Sequence, residues 1–318
     1  MFISIIVEWE NAVLSELQRA RDMLRRMQAQ ALARSGDQFE ILVMYNPEQV
    51  QRGLIEGVLA TDAVAELKNA FRLVAAPGMH YYDLKNEGAR LASGEVIVFL
   101  DSDVIPDDGW LDGLLGVLET NPGVNVVTGS YYVDPVDFVG RAFAVNWFFT
   151  LRPAQAAIGP CAKFFANNVA FRKAFFLDRQ FPAMPAGSTR GACGMLAKSI
   201  LAEGQEIIRQ PMSSVSHPAP NGSAHIALRA LAQGRDSAFK HRHRLNPLTN
   251  SVRIWLRVLK RALIRVPYRT LRDHGKVGMP LWQVPAAMLL MIAYYLLVGI
   301  GGQAAILAPD FMSRHIRV

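Results

Sequence analysis

Cysteine is scarce in this chain of 318 residues; only Cys161 and Cys193 occur. Two thiols far apart in sequence build no disulfide framework, which excludes the disulfide-stapled secreted class and points to a reducing compartment. Both read as small buried apolar residues. Basic residues are missing from the start, where Met1–Val7 is a short apolar strand, so no signal peptide is expected. Acids are nearly missing from one long stretch. Between Arg229 and Lys276 stand 13 Lys/Arg against Asp236 and Asp273, a local +11 in a chain of net charge +7, so the remainder carries −4. That asymmetry argues against nucleic acid as a partner of the main domain and places an electrostatic role near the C-terminus. After Lys276 no charged residue appears until Asp310. There is no internal repeat and no low-complexity tract.

What is present is a succession of strands and helices at short spacing. Phe2–Val7, Phe39–Met44, Phe71–Ala75, Glu95–Leu100 and Val124–Gly129 read as strands. The first helix sets Leu14, Leu17, Leu24 and Met27 on one face and Arg19, Arg21, Arg25 and Arg26 on the other. Further helices are expected over Tyr82–Ala92, from Pro106 through Leu118, and over Arg190–Ala202, with closing strands in Glu206–Ser216. Alternation of this kind predicts βαβ units, hence an α/β domain with a mostly parallel sheet, Rossmann-like in plan. The stretch 130–190 is less regular and rich in aromatics such as Tyr131, Phe143, Trp147 and Phe164. It reads equally as the wall of an acceptor pocket and as plain core.

The C-terminal part changes character. Val252, Trp255, Leu256, Leu259 and Leu263 alternate with Arg253, Arg257, Lys260, Arg261 and Arg265, the pattern of a basic amphipathic helix at an anionic membrane surface. Leu281–Leu307 is apolar apart from Gln283 and Gln303, and exceeds the roughly 20 residues that span a bilayer. Gly299, Gly301 and Gly302 leave a broken or re-entrant helix open beside a single span, and a buried soluble helix is the alternative to both. The Lys/Arg excess ahead of this segment sets the main domain on the cytoplasmic side. Three parts are therefore expected: 1–225, the main domain; 226–279, a basic membrane-surface segment; and 280–318, an apolar transmembrane or re-entrant helix with a short tail.

The most informative segment is Val96-Ile97-Val98-Phe99-Leu100-Asp101-Ser102-Asp103. A buried strand delivers two carboxylates to the carboxyl edge of the sheet, where open α/β folds bind ligands. Paired hard oxygen ligands there suit Mg²⁺ or Mn²⁺ in partnership with a phosphate.

Together with its surroundings this segment resembles the nucleotide-sugar-dependent glycosyltransferases of the GT-A fold, the large, mostly inverting bacterial family 2. The resemblance covers roughly Phe2 to His217. It is carried by Ile3–Val7 followed by Asn11, by Lys85-Asn86-Glu87-Gly88-Ala89, by Ala92–Asp103, by Asn168–Arg172, by Ala202-Glu203-Gly204, and by Val215-Ser216-His217. It implies a GT-A domain followed by membrane-associated helices, a UDP- or GDP-linked donor, and a lipid-linked or cell-surface polysaccharide acceptor at the cytoplasmic face of a bacterial inner membrane. It further implies that Asp103 is a direct metal ligand, that Asp101 lies nearer the ribose and metal-bound water, and that His217 completes the coordination. The expected nucleotide-sugar site is Glu8, Trp9, Asn11, Asn46, Lys85, Asp101 and Ser102. Trp9 is positioned to stack on a base, Glu8 to accept from a ribose hydroxyl or base N–H, and Lys85 to meet a phosphate unless it is a solvated helix lysine.

Two departures stand out. Relatives place an Asp after the second strand, where this chain has Tyr45-Asn46, which opens the identity of the nucleotide. Inverting relatives also carry an acidic pair at the start of the late helix. Here Thr189–Leu196 contains Arg190 and Cys193 but no acid, so no general base is assigned. Asp178 or Glu206 supplying the base, a retaining mechanism, and a non-catalytic nucleotide-sugar-binding scaffold in a polysaccharide-assembly complex are the alternatives.

Overall fold

The computed structural model describes residues 1–10, 17–60, 70–152, 157–184, 190–240 and 246–316. They form two compact units. The first comprises Met1–Tyr132, Arg152–Pro182 and Ala192–His217; the second comprises Val133–Leu151, Ala183–Gly191 and Pro218–Val318. The basic and apolar segments expected as separate parts thus belong to one unit, which also takes up the aromatic stretch around Phe143.

The first unit is built on a sheet with strand order β3-β2-β1-β4-β8-β6-β9-β5, and β7 pairs with β9. These strands are β1 (Phe2–Glu8), β2 (Gln38–Tyr45), β3 (Phe71–Ala75), β4 (Val96–Asp101), β5 (Ile105–Pro106), β6 (Val126–Val133), β7 (Gly159–Pro160), β8 (Asn168–Arg172) and β9 (Ile208–His217). β3, β2, β1 and β4 run parallel, whereas β8 enters antiparallel to β4. The helices α1 (Leu17–Ala33), α2 (Arg52–Leu59), α3 (Tyr81–Leu91) and α4 (Trp110–Thr120) follow the strands in the right order for βαβ crossovers. Covered on both faces, β1 and β4 read as continuous apolar runs: every residue of β4 is buried.

Two features were not expected from the sequence. α1 buries Ala20, Met23, Leu24, Met27, Gln28 and Ala31, while Leu17 is exposed; Leu14 lies outside the described residues. β8 is tied across the sheet by Asn168, whose amide donates to the carbonyls of Ser130 and Ser213 at 2.9 and 2.8 Å and whose oxygen accepts from the Trp110 indole at 2.8 Å. The helices α6 (Lys173–Leu177) and α7 (Ala192–Ala202) complete this unit.

Among the described residues the second unit is mainly helical. It contains α5 (Phe138–Asn146), α8 (Gly222–Phe239), α9 (Pro247–Leu259), α10 (Val266–Asp273), α11 (Val284–Leu307) and α12 (Pro309–His315), with a π-helical turn at Lys260–Arg265 joining α9 to α10. α11 is unbroken across Gly299, Gly301 and Gly302, so these glycines do not mark a re-entrant bend. They make room for neighbours instead: a Cβ on Gly299 would meet the Trp255 ring at 2.7 Å, and one on Gly301 would stand 2.3 Å from the Leu231 carbonyl.

Candidate active site

The acidic pair leaves β4 at the carboxyl edge of the parallel strands, and Asp101 pairs in register with Glu8, the last residue of β1. Asp101 and Asp103 are both nearly inaccessible, at 4% and 3% exposed. A buried carboxylate stays ionised only when donors replace its water, and Asp101 has three contacts of this kind. The Tyr81 hydroxyl reaches both its oxygens, at 3.1 and 2.8 Å, and Lys85 Nζ donates to Oδ1 at 2.7 Å. Lys85 is itself fully buried, donates also to the Leu100 carbonyl at 3.3 Å, and lies 4.8 Å from the centre of the Tyr81 ring. Tyr81 and Lys85 lie one helical turn apart at the start of α3, so one face of that helix supplies both donors.

Glu8 is completely buried beside this group. Burial pushes its carboxyl well above the usual carboxylate range, and the neighbouring Asp101 charge adds to the effect. The Lys85 charge works the other way on Glu8, against these two effects. Burial likewise drives the Tyr81 phenol well above its ordinary value, so Tyr81 remains a donor to Asp101. Glu10 clasps the other side: its Oε2 accepts from the Tyr81 backbone N–H at 2.9 Å, and its Oε1 lies 3.1 Å from His80 Nδ1.

Two residues beyond Asp101, the chain meets the end of β9. His217 Nε2 lies 3.7 Å from Asp103 Oδ2, with both side chains under a tenth exposed. Arg19 bridges the two strand ends. Its Nε donates to the Asp103 carbonyl at 2.6 Å, and its Nη2 donates to the carbonyl and hydroxyl of Ser216 at 2.8 Å each. A carboxylate oxygen and an imidazole nitrogen side by side suit Mn²⁺ or Mg²⁺, which commonly takes one or two protein ligands and fills its shell with phosphate oxygens and water. Among the described residues no group of three or more His, Cys, Asp or Glu could hold a metal alone. The donor set therefore fits an ion that arrives with a diphosphate, not a closed protein cage.

The remaining expectations divide. Ser102 is fully buried; its N–H donates to the Glu8 carbonyl at 3.1 Å, while its hydroxyl has no hydrogen-bond partner among the described residues. Trp9 is likewise fully buried, its indole N–H without a hydrogen-bond partner among the described residues, so its ring offers no open face for stacking on a base. Asn46 spends its side-chain oxygen on the Glu48 N–H at 3.0 Å, closing the turn after β2. Lys85 is not solvated: it is fully buried, with its ammonium paired to Asp101. Asn11 lies outside the described residues, as does Thr189.

The alternative bases are displaced by topology. Arg172 pairs with Val96, the first residue of β4, so the following segment Lys173–Asp178 stands at the amino edge, opposite Asp101. Glu206 precedes β9, whose ten residues put it about 30 Å from His217. Cys193 is buried and takes a 3.5 Å hydrogen bond from the Tyr82 hydroxyl; burial raises its thiol pKa, which unfits it as a thiolate base. Arg190 is exposed and belongs to the second unit. Sequence reasoning missed Tyr81 and Arg19. Tyr81 carries a weak signal, being four residues ahead of Lys85; Arg19 carries none, since its spacing matches the solvent face of α1.

Residues 63–176 match the family described as Glycosyl transferase family 2. No curated protein matches the chain in sequence. Among solved structures, the mannosyltransferase PcManGT from Pyrobaculum calidifontis, in complex with GDP-Man and Mn²⁺, aligns over 97% of this chain and 87% of its own, with a TM-score of 0.57 at 15% identity. GalNAc-T7 with UDP, GalNAc and Mn²⁺ aligns over 75% of this chain and 50% of its own, with a TM-score of 0.50 at 14% identity. At these identities the likeness is one of fold, the GT-A architecture.

Proposed function

We propose that this chain, a GT-A-fold glycosyltransferase of the family 2 type, moves a sugar from a UDP- or GDP-linked donor to a lipid-linked or cell-surface polysaccharide acceptor at a membrane. The observation that carries the reading is the approach of His217 Nε2 to within 3.7 Å of Asp103 Oδ2 at the edge where Asp101 also emerges. Asp103 and His217 are the residues that would hold a Mg²⁺ or Mn²⁺ ion, which would supply Lewis-acid stabilisation of the charge on a departing nucleoside diphosphate.

The chain's own groups do the rest. Asp101, fixed by Tyr81 and Lys85, is a rigid acceptor for a ribose hydroxyl or a metal-bound water. Because its donors are already in place, it needs no reorganisation when the nucleotide binds. Arg19 holds the loop after β4 against the end of β9, and so sets the distance between Asp103 and His217. The two likenesses of fold support a nucleotide-sugar donor, since their partners are GDP-Man in one and UDP with GalNAc in the other. The basic and apolar C-terminal helices support membrane association on the cytoplasmic side.

The test is donor turnover. Purified protein given a panel of UDP- and GDP-sugars with Mn²⁺ consumes one of them, and Asp103→Ala abolishes that consumption while leaving the fold intact by circular dichroism. Absence of both transfer and hydrolysis across the panel, with and without membrane lipid extract as acceptor, contradicts the proposal.

A further inference from the structure

We infer that the second unit lies in the plane of a single anionic leaflet, with both ends of α11 on the same side of the membrane, and that α11 does not cross. This rests on the membrane-associated reading above and narrows it to a topology and a lipid chemistry.

Length permits crossing: Leu281–Leu307 is 27 residues. The neighbours of α11 forbid it. At one end, Gln283 accepts from Arg141 Nη1 at 3.4 Å. Halfway along, the Tyr294 hydroxyl donates to Gln233 at 2.8 Å and accepts from the Trp147 indole at 3.0 Å. The Tyr295 hydroxyl donates to the Asn146 carbonyl at 2.7 Å, and the Arg261 guanidinium lies 5.6 Å from the Tyr295 ring centre. Near the other end, the Ser251 hydroxyl donates to Gln303 at 2.5 Å. From Gln283 to Gln303 the helix rises about 30 Å, the full thickness of a hydrocarbon core. Polar partners on α5, α8 and α9 therefore accompany α11 through that entire height.

The attachment is intimate. A Cβ on Gly234 of α8 would stand 2.0 Å from the Val298 carbonyl, so the two backbones touch. Next to this contact α8 carries Arg235, wholly buried and paired with Asp236 at 2.8 Å. A spanning α11 would drag this helix, with its charges, into lipid, where ionised groups are strongly disfavoured.

An in-plane arrangement has no such cost. Leu289, Leu296, Ile300 and Leu307 are exposed at spacings of seven, four and seven, forming one apolar stripe along α11. α9, the π turn and α10 expose Leu248, Val252, Leu256, Leu259, Leu263 and Leu271. Among these sit exposed Arg257, Lys260, Arg265, Arg272 and Lys276, and the one acid in the sequence 246–276, Asp273, is buried against the last two. Apolar stripes interleaved with an excess of cations match an anionic headgroup layer.

Two measurements test this. In a bacterial host, full-length protein fused after Val318 to a fluorescent reporter that matures only in the cytoplasm is expected in the membrane fraction and bright, while the same fusion to an export-dependent phosphatase is inactive. Membrane-bound protein with an active phosphatase overturns the inference but leaves the proposed function standing. For the lipid, unfused protein is expected to float with phosphatidylglycerol vesicles. Replacing Arg257, Lys260 and Arg265 together by Gln lowers vesicle affinity roughly a hundredfold, at about 1 kcal/mol per cation. Equal binding to neutral phosphatidylcholine vesicles overturns the anionic-leaflet assignment. Absence from both membrane fraction and vesicles sinks the membrane reading on which the inference stands.

Discussion

Arg19 joins Asp103 to Ser216 through three hydrogen bonds of 2.6 to 2.8 Å, and thereby holds His217 next to the acidic loop. A guanidinium on the first helix thus ties the candidate metal ligands together.

Arg19→Ala is accordingly expected to weaken Mn²⁺-dependent turnover by roughly 10–100-fold, the range for supports of metal ligands. Arg19→Lys rescues little, because an ammonium cannot serve two strand ends in a fixed fork. Titrating manganese against donor consumption checks this: a rise in the metal concentration needed for half activity is expected. An unchanged metal requirement contradicts the role.

Lys85 is tied to stability through Asp101. Lys85→Met leaves a carboxylate that is 4% exposed without its cation, an expected loss of about 3–5 kcal/mol. Adding Asp101→Asn to the same chain removes the stranded charge and recovers much of the loss. Urea unfolding of the two single variants and the double gives the coupling; additive effects contradict the buried pair.

The extent to which these arrangements are visible in sequence differs by residue. β1 and β4 are legible because a strand buried on both faces must be continuously apolar, as Ile3–Val7 and Val96–Leu100 are. The acidic pair follows from that, since the carboxyl edge is where such a strand ends. α2 is obscured by Gly53 and Gly57, which dilute the helical signal. Trp9 is read as open to a base and Lys85 as meeting a phosphate or solvent, whereas both are fully buried. Gly299, Gly301 and Gly302 announce a break in a membrane helix but serve close packing against Trp255 and Leu231. What sequence does not carry, in each case, is the identity of the neighbour across the fold.

Asp273 gives the second unit a defined acid sensitivity. Hydrogen bonding from Arg272, with help from Lys276, holds its carboxyl at about 2, against 3.8 when free. A depressed value means that the folded state gains while the group is ionised. That gain is complete above the free value and disappears as pH falls from about 4 toward 2. The stability advantage of the parent chain over Asp273→Asn is therefore expected to be constant above pH 5 and to shrink through that acidic window, as read by thermal unfolding across pH. An advantage that grows on acidification contradicts the pairing.

The most direct measurement is anomalous diffraction from crystals soaked with manganese and a nucleoside diphosphate, UDP and GDP in separate soaks. The account predicts one manganese peak within about 2.3 Å of both an Asp103 oxygen and His217 Nε2, with the diphosphate oxygens completing its shell. A nucleotide bound elsewhere, or a peak that leaves Asp103 and His217 untouched, contradicts it.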